Sequence, residues 1–205
     1  WRGTDKGAIR LIDLLEMRSG LRFVEDYVDG SVSDCLEMLY GPASDDMAAY
    51  AAGLPLDHRP GEVWNYSSGT TNIVSRIIGD VVHGDPVGTP AGRRAAMEGF
   101  LHERLFGPLG MATATAKFDT AGTWVGSSYV YATAHDFARF GELYRLDGAL
   151  ADSTRLIPDG WVDHARTPVA HDDESGFDYG RHWWMWPAFP GSLAAHGYEG
   201  QFTLV

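Results

Sequence analysis

Apolar residues recur at helical spacing from the first dozen positions. Leu11, Leu14 and Leu15 share one face and Ser19-Gly20 follows as a stop, which predicts a short amphipathic helix. Ser33 and Ser44 each stand before acidic residues and helix formers, predicting two short capped helices, Asp34 to Tyr40 and Asp45 to Ala52. Beyond Pro55 and Pro60-Gly61, the apolar residues Ile73, Val74, Ile77, Ile78, Val81 and Val82 repeat at i, i+1, i+4. This is the strongest periodic signal in the chain, and it predicts a helix that begins near Ser68 to Thr71 and buries that stripe. A further helix is expected from about Arg93 to Phe106, ending at Gly107-Pro108, and an extended segment from Gly122 to Tyr131. Thr133, three residues before Asp136, opens a helix lined by Phe137, Phe140 and Tyr144, and Pro158 suits the first turn of another. Tyr179 to Trp186 and Phe202 to Val205 read as strands, the second behind the glycine-rich corner His196-Gly-Tyr-Glu-Gly200.

The order is helical to about residue 168 and then turns to strands, which is an α+β arrangement. We expect a mainly helical subdomain over 1–168 and strands over 169–205 that re-enter a sheet the chain does not complete. With 44% hydrophobic residues the chain can bury a core, so disorder is excluded. Acidic residues outnumber basic ones 28 to 16 and no Lys/Arg cluster stands out, which argues against nucleic acid as a partner. No apolar run reaches the roughly 20 residues that cross a bilayer. The single Cys35 allows no intrachain disulfide and reads as ordinary helix packing. The chain lacks an initiator Met and ends on the apolar run Gln201 to Val205, so both ends read as cut inside elements.

Chemistry concentrates in Pro60-Gly-Glu-Val-Trp-Asn-Tyr66-Ser-Ser-Gly-Thr-Thr71, which sets a tyrosine immediately before the long helix. A phenol of reference pKa about 10 becomes a base at neutral pH only where cations and helix N–H groups favour the phenolate. Taken alone, Tyr66 reads as a core aromatic, and Ser67 and Ser68 as N-caps. The run of acids Asp172, Asp173 and Glu174 beside His171 reads as a solvated loop, and no histidine pair has metal spacing, so neither a metal nor a cofactor is expected. The aromatics around Trp183, Trp184 and Trp186 read as one buried and one half-exposed sheet face, in preference to a sugar platform.

Several segments in one order resemble a single family. Leu14-Leu-Glu-Met-Arg-Ser-Gly-Leu21, Tyr66-Ser-Ser68, Phe106-Gly-Pro-Leu-Gly-Met111, Val125-Gly-Ser-Ser-Tyr129, Tyr179-Gly-Arg-His-Trp-Trp184 and His196-Gly-Tyr-Glu-Gly-Gln201 resemble segments of serine hydrolases of the β-lactamase and penicillin-binding-protein class. Glu25-Asp-Tyr-Val-Asp29 and Ala195 to Gln201 are most similar to the 6-aminohexanoate-dimer hydrolases and related carboxylesterases within it. The resemblance implies a β-lactamase/transpeptidase-like α+β fold and acyl transfer through a serine of a Ser-x-x-Lys motif, acting on a small-molecule ester or amide. It matches Tyr66 to the proton-passing tyrosine of Tyr-x-Asn. It places Gly197 in the third motif, with His196 beside it and the Tyr198 N–H as an oxyanion donor. Ser68 takes the asparagine position, and Tyr27 matches a substrate-contacting loop tyrosine.

Three departures qualify this picture. Serine replaces the motif asparagine at position 68, and Ala195-His196-Gly197 lacks the lysine that reads a penicillin carboxylate. No serine in the chain is followed by lysine three residues on, and Lys6 and Lys117 are its only lysines. The chain by itself is therefore expected to be inactive. The competing readings are a D-alanyl-D-alanine peptidase or β-lactamase, and a non-catalytic homologue that binds through the same pocket. Compartment and oligomeric state are not legible.

Overall fold

The computed structural model describes residues 1–28, 30, 32–85 and 87–205, and the chain divides into two compact units. Unit 1 comprises Trp1–Phe100 and Ala116–Val130, and unit 2 comprises Leu101–Thr115 and Tyr131–Val205.

Unit 1 is helical. Its first helix, α1 (Leu11–Leu15), starts where buried Asp13 accepts hydrogen bonds from the Arg10 amide and guanidinium. It ends earlier than the Ser19-Gly20 signal suggests, because Met17 already turns into the left-handed region at φ 55°. Helix α2 (Asp34–Tyr40) is capped as expected, with the Ser33 hydroxyl accepting the Leu36 N–H at 3.0 Å. The next expectation needs correction. Pro42 starts a 3-10 turn (Pro42–Asp45) that absorbs Ser44, so the cap of α3 (Met47–Gly53) is Asp46. Helix α4 (Ser68–His83) begins where predicted, with Ser67 as its N-cap.

The buried face of α4 departs most from expectation. Gly69, Thr70, Asn72, Ile73, Ser75 and Gly79 point inward, whereas Ile77 is 38% and Val81 75% exposed. The core of Leu14, Leu21, Phe23, Cys35, Met38, Met47, Ala51 and Val125 leaves room only for small residues along most of this face. A methyl group on Gly69 would lie 2.5 Å from the Phe23 ring and 2.8 Å from Ala51 Cβ. Helix–helix contact here is thus set by close approach, and the aliphatic stripe is split: Ile73 joins the core with Val74 packed against it, while Ile77 and Val81 face outward.

Helix α5 (Pro90–Leu101) starts three residues before the expected Arg93. Arg93, 4% exposed, donates to Asp80 of α4 at 2.9 Å and to the Ala121 carbonyl at 2.5 Å. Arg76 bridges Asp46, Asp80 and Thr123. Asp119 accepts the Met47 and Thr123 amides, so the segment after residue 116 is tied onto α3, α4 and α5. Gly122 to Tyr131 is mostly turn. Gly122 sits at φ 78° and Tyr129 N–H returns to the Val125 carbonyl, leaving only Val130–Tyr131 as strand β2, paired with β1 (Thr115–Ala116).

Unit 2 opens with a π-helical turn (His102–Phe106) followed by α6 (Gly107–Leu109). Gly107-Pro108 therefore continues the helical path instead of stopping it. The stop is Gly110, left-handed at φ 67°. Helix α7 (Ala134–Arg145) is capped by Thr133, and Asp136 accepts both the amide and the hydroxyl of Thr113. Pro158 lies ahead of α8 (Trp161–Ala165), whose N-cap is left-handed Gly160.

Five short strands then form an antiparallel meander in chain order: β3 (Ala170–Asp172), β4 (Phe177–Tyr179), β5 (Trp184–Met185), β6 (Ala194–Gly197) and β7 (Gln201–Leu204). The expected strand from Tyr179 to Trp186 is a hairpin, because the Gly180 N–H bonds the Trp183 carbonyl and His182 takes φ 62°. One face buries Trp183, Met185 and Leu193 with Val162 and Ala165, and Phe140 and Tyr144 of α7 pack on Trp183. Trp184 and Trp186 point the other way and are half-buried. Asp172 holds the β3–β4 turn by accepting the Ser175 hydroxyl at 2.6 Å.

Candidate functional site

Tyr66 lies between two anchored neighbours. On one side, the Asn65 amide donates to the Met17 carbonyl at 2.8 Å and its side chain to the Phe23 carbonyl at 3.1 Å. On the other, the Ser67 hydroxyl accepts the Thr70 N–H at 2.9 Å, and the Ser68 N–H donates to Glu25 at 2.8 Å. The segment 17–25 therefore holds both flanks of a half-buried tyrosine at the N-terminal end of a 16-residue helix. That end carries the positive pole of the aligned peptide dipoles, so it favours negative charge developing on nearby oxygen.

Ser68 is 5% exposed and its hydroxyl donates to Glu25 at 2.6 Å, so its proton is committed within the protein. The Tyr27 hydroxyl donates to the same carboxylate oxygen. Beneath them lies Cys35, with no exposed surface, whose thiol is in hydrogen-bonding reach of Tyr27, Ser68 and Glu25. Burial, reinforced by the Glu25 charge, pushes the Cys35 thiol up to about 12. Burial and Glu25 likewise push the Tyr27 phenol well above its ordinary range. Both groups stay protonated at neutral pH, which makes Tyr27 a donor and leaves Cys35 without nucleophilic thiolate. Asp34 anchors the start of this segment by accepting the Val24 N–H at 2.9 Å and the Tyr50 hydroxyl at 2.7 Å. Asp29, which closes the Glu25–Asp29 motif, lies outside the described residues.

The remaining expected residues lie together in unit 2, at the β6–β7 hairpin. Gly197 pairs with Gln201, and a methyl group on it would lie 2.8 Å from the Gln201 carbonyl oxygen. Glycine at 197 is therefore demanded by closure of the hairpin itself. Tyr198 opens the 3-10 turn Tyr198–Gly200 and is 64% exposed, and Glu199 takes φ 56°. The His196 ring packs edge-on against Phe202 at 4.3 Å and lies 5.8 Å from Phe177.

Thus Tyr27, Ser68 and the backbone of Tyr66 are joined in unit 1, whereas His196, Gly197 and Tyr198 form one turn in unit 2. Glu25 is the residue that sequence reasoning passed over. It stood inside a quoted motif, but its partner is 43 positions away and no spacing rule links them. Lys6 is occupied structurally, its ammonium capping the Ala52 and Gly53 carbonyls at the end of α3. Among the described residues no group of three or more His, Cys, Asp or Glu could hold a metal ion, and no helix is long and apolar enough to cross a membrane.

Comparison with known proteins agrees with this architecture. No curated protein sequence matches the chain. Among solved structures, a putative 6-aminohexanoate-dimer hydrolase from Bacillus anthracis superimposes with a TM-score of 0.75 at 21% identity. That match covers 100% of this chain and 54% of the other, so the chain spans about half the length of that relative. The mixed helices and antiparallel sheet are those of the β-lactamase/transpeptidase fold. The Beta-lactamase family matches residues 1–205, and the chain belongs to that family.

Proposed function

We propose that the chain is part of a serine hydrolase that works by acyl transfer on esters or amides of small linear substrates, with Tyr66 passing the proton between nucleophile and leaving group. The observation that carries this reading is the anchoring of Tyr66 on both sides at the N-terminal end of α4, in a chain of the Beta-lactamase family. A proton-transfer group must be held within hydrogen-bond reach of the reacting atoms, and a rigid helix start supplies that. The β6–β7 turn takes the third-motif role, with the Tyr198 N–H donating to the developing oxyanion and Gly197 closing the hairpin that presents it. Ala195 stands where Lys-Thr-Gly has its lysine, so the cation that would read a penicillin carboxylate is missing from this motif, which favours linear substrates over β-lactams. The likeness to the putative 6-aminohexanoate-dimer hydrolase from Bacillus anthracis supports the same preference.

The nucleophilic serine and its lysine are assigned to sequence outside these 205 residues. A Ser-x-x-Lys on a helix upstream of Trp1 in the reading frame is expected. The protein containing it should cleave short-chain p-nitrophenyl esters, and Tyr66→Phe should lower kcat by about 100-fold or more while KM changes little. An unchanged kcat removes Tyr66 from the mechanism, and an intact gene without the motif removes the hydrolase.

A further inference from the structure

The position that the family motif gives to asparagine is occupied here by a serine whose hydroxyl and amide both donate to one carboxylate, and that carboxylate belongs to the segment carrying Tyr27. Glu25 thus joins the Val24–Val28 segment to the first turn of α4. Three donors converge on its two oxygens, two on Oε1 and one on Oε2, so its side chain is engaged within the protein, beside the Ser67 cap that follows Tyr66. The position also suits its charge, since a carboxylate at a helix N-terminus is stabilised by the helix dipole. The segment is held at its start by Asp34 through the Val24 N–H, and Tyr27 and Val28, at its far end, are 39% and 66% exposed. Cys35, on α2, is fully buried in the core, within hydrogen-bonding reach of this network.

We propose that Glu25 is a positioning residue, a latch that fastens the Tyr27 segment to the N-terminal turn of α4, steadies the helix start from which Tyr66 is presented and closes Cys35 off from solvent. The latch replaces the motif asparagine in a particular sense. Where an asparagine side chain would face the substrate, this chain turns the position inward and spends it on holding Tyr66. The catalytic half of this inference rests on the hydrolase reading; the latch itself does not.

Cys35 supplies the test, because it is the chain's one cysteine and any thiol reagent reports on it alone. In this chain, Cys35 should react with N-ethylmaleimide slowly under native conditions, at the denatured rate only in urea. Glu25→Gln, which cannot accept from all three donors, should label at least about tenfold faster with the far-UV circular dichroism spectrum preserved. Tyr27→Phe removes one arm only and should give a smaller acceleration, which keeps the test decisive if Glu25→Gln proves unstable. In the longer protein carrying Ser-x-x-Lys, Glu25→Gln should lower kcat for a p-nitrophenyl ester by about tenfold or more with KM within about threefold, and Glu25→Asp should restore neither labelling protection nor kcat fully. Equal labelling of wild type, Glu25→Gln and Tyr27→Phe overturns the latch, as does wild-type Cys35 reacting at the denatured rate. Faster labelling with kcat unchanged overturns the positioning role. Loss of the Tyr66 dependence of kcat overturns the hydrolase reading instead, with the labelling contrast intact.

Discussion

Gly20 shows how much of this site depends on backbone that no side chain reveals. It sits at φ 77°, its carbonyl accepts the Asp57 and His58 amides, and a methyl group there would lie 2.3 Å from the His58 carbonyl oxygen. Gly20→Ala should cost at least about 2 kcal/mol, from strain at positive φ together with displacement of the 57–59 backbone, read as a lower urea midpoint. An unchanged midpoint would mean that this crossing gives way freely. The glycine was legible in the sequence as a stop, but the residue that actually turns α1 is Met17, which carries no such signature. Tyr66 and Ser68 are singled out in the sequence by motif position alone. What Ser68 does is not legible there, because its partner Glu25 is brought to it by tertiary folding and not by local pattern.

At the scale of elements, caps were read well where a Ser or Thr directly precedes the helix, as at Ser33, Ser67 and Thr133. Ser44 failed because the proline two residues before it starts a separate turn. Helix α4 is the instructive miss. Its start follows from the sequence, yet its aliphatic stripe is split, with Ile73 in the core and Ile77 and Val81 exposed, since small residues fill most of the face that meets the neighbouring helices. This predicts an inversion of the usual ranking. Gly69→Ala should destabilise by about 1–3 kcal/mol through overpacking against Phe23 and Ala51, whereas Val81→Ser, at 75% exposure, should stay within about 0.5 kcal/mol. Thermal melts of the two variants check this, and a larger loss for Val81→Ser would mean that the stripe is covered in solution. The meander was legible as strands but not as five of them, since Gly180 and His182 bend one apolar run into a hairpin.

For the whole molecule, acid sensitivity follows from carboxylates in both units. Hydrogen bonding to Arg10 holds Asp13 below the usual carboxylate range, and the Thr113 hydroxyl and amide hold Asp136 there. A depressed aspartate contributes stability that is complete above the ordinary value of about 3.9 and is lost as pH falls through its lower folded value. The thermal midpoint should therefore drop most steeply below about pH 4, and Asp13→Asn with Asp136→Asn should flatten that drop while lowering the midpoint at pH 7. An unaltered acid slope in the double variant would assign the effect to other carboxylates. Asp119, raised by burial, works in the opposite sense, its share being lost as pH rises. The change from helix to strand was visible in the sequence, but nothing in composition marks residues 100, 115 and 130, where the chain passes between units. That interleaving has a consequence for synthesis on the ribosome. Unit 2 ends in a meander whose every pairing is between successive strands, so it can zip from short loops. Unit 1 needs Asp119, Ala121 and Val125 to bind helices made up to a hundred residues earlier, and its nascent core must wait for that late segment before it can close.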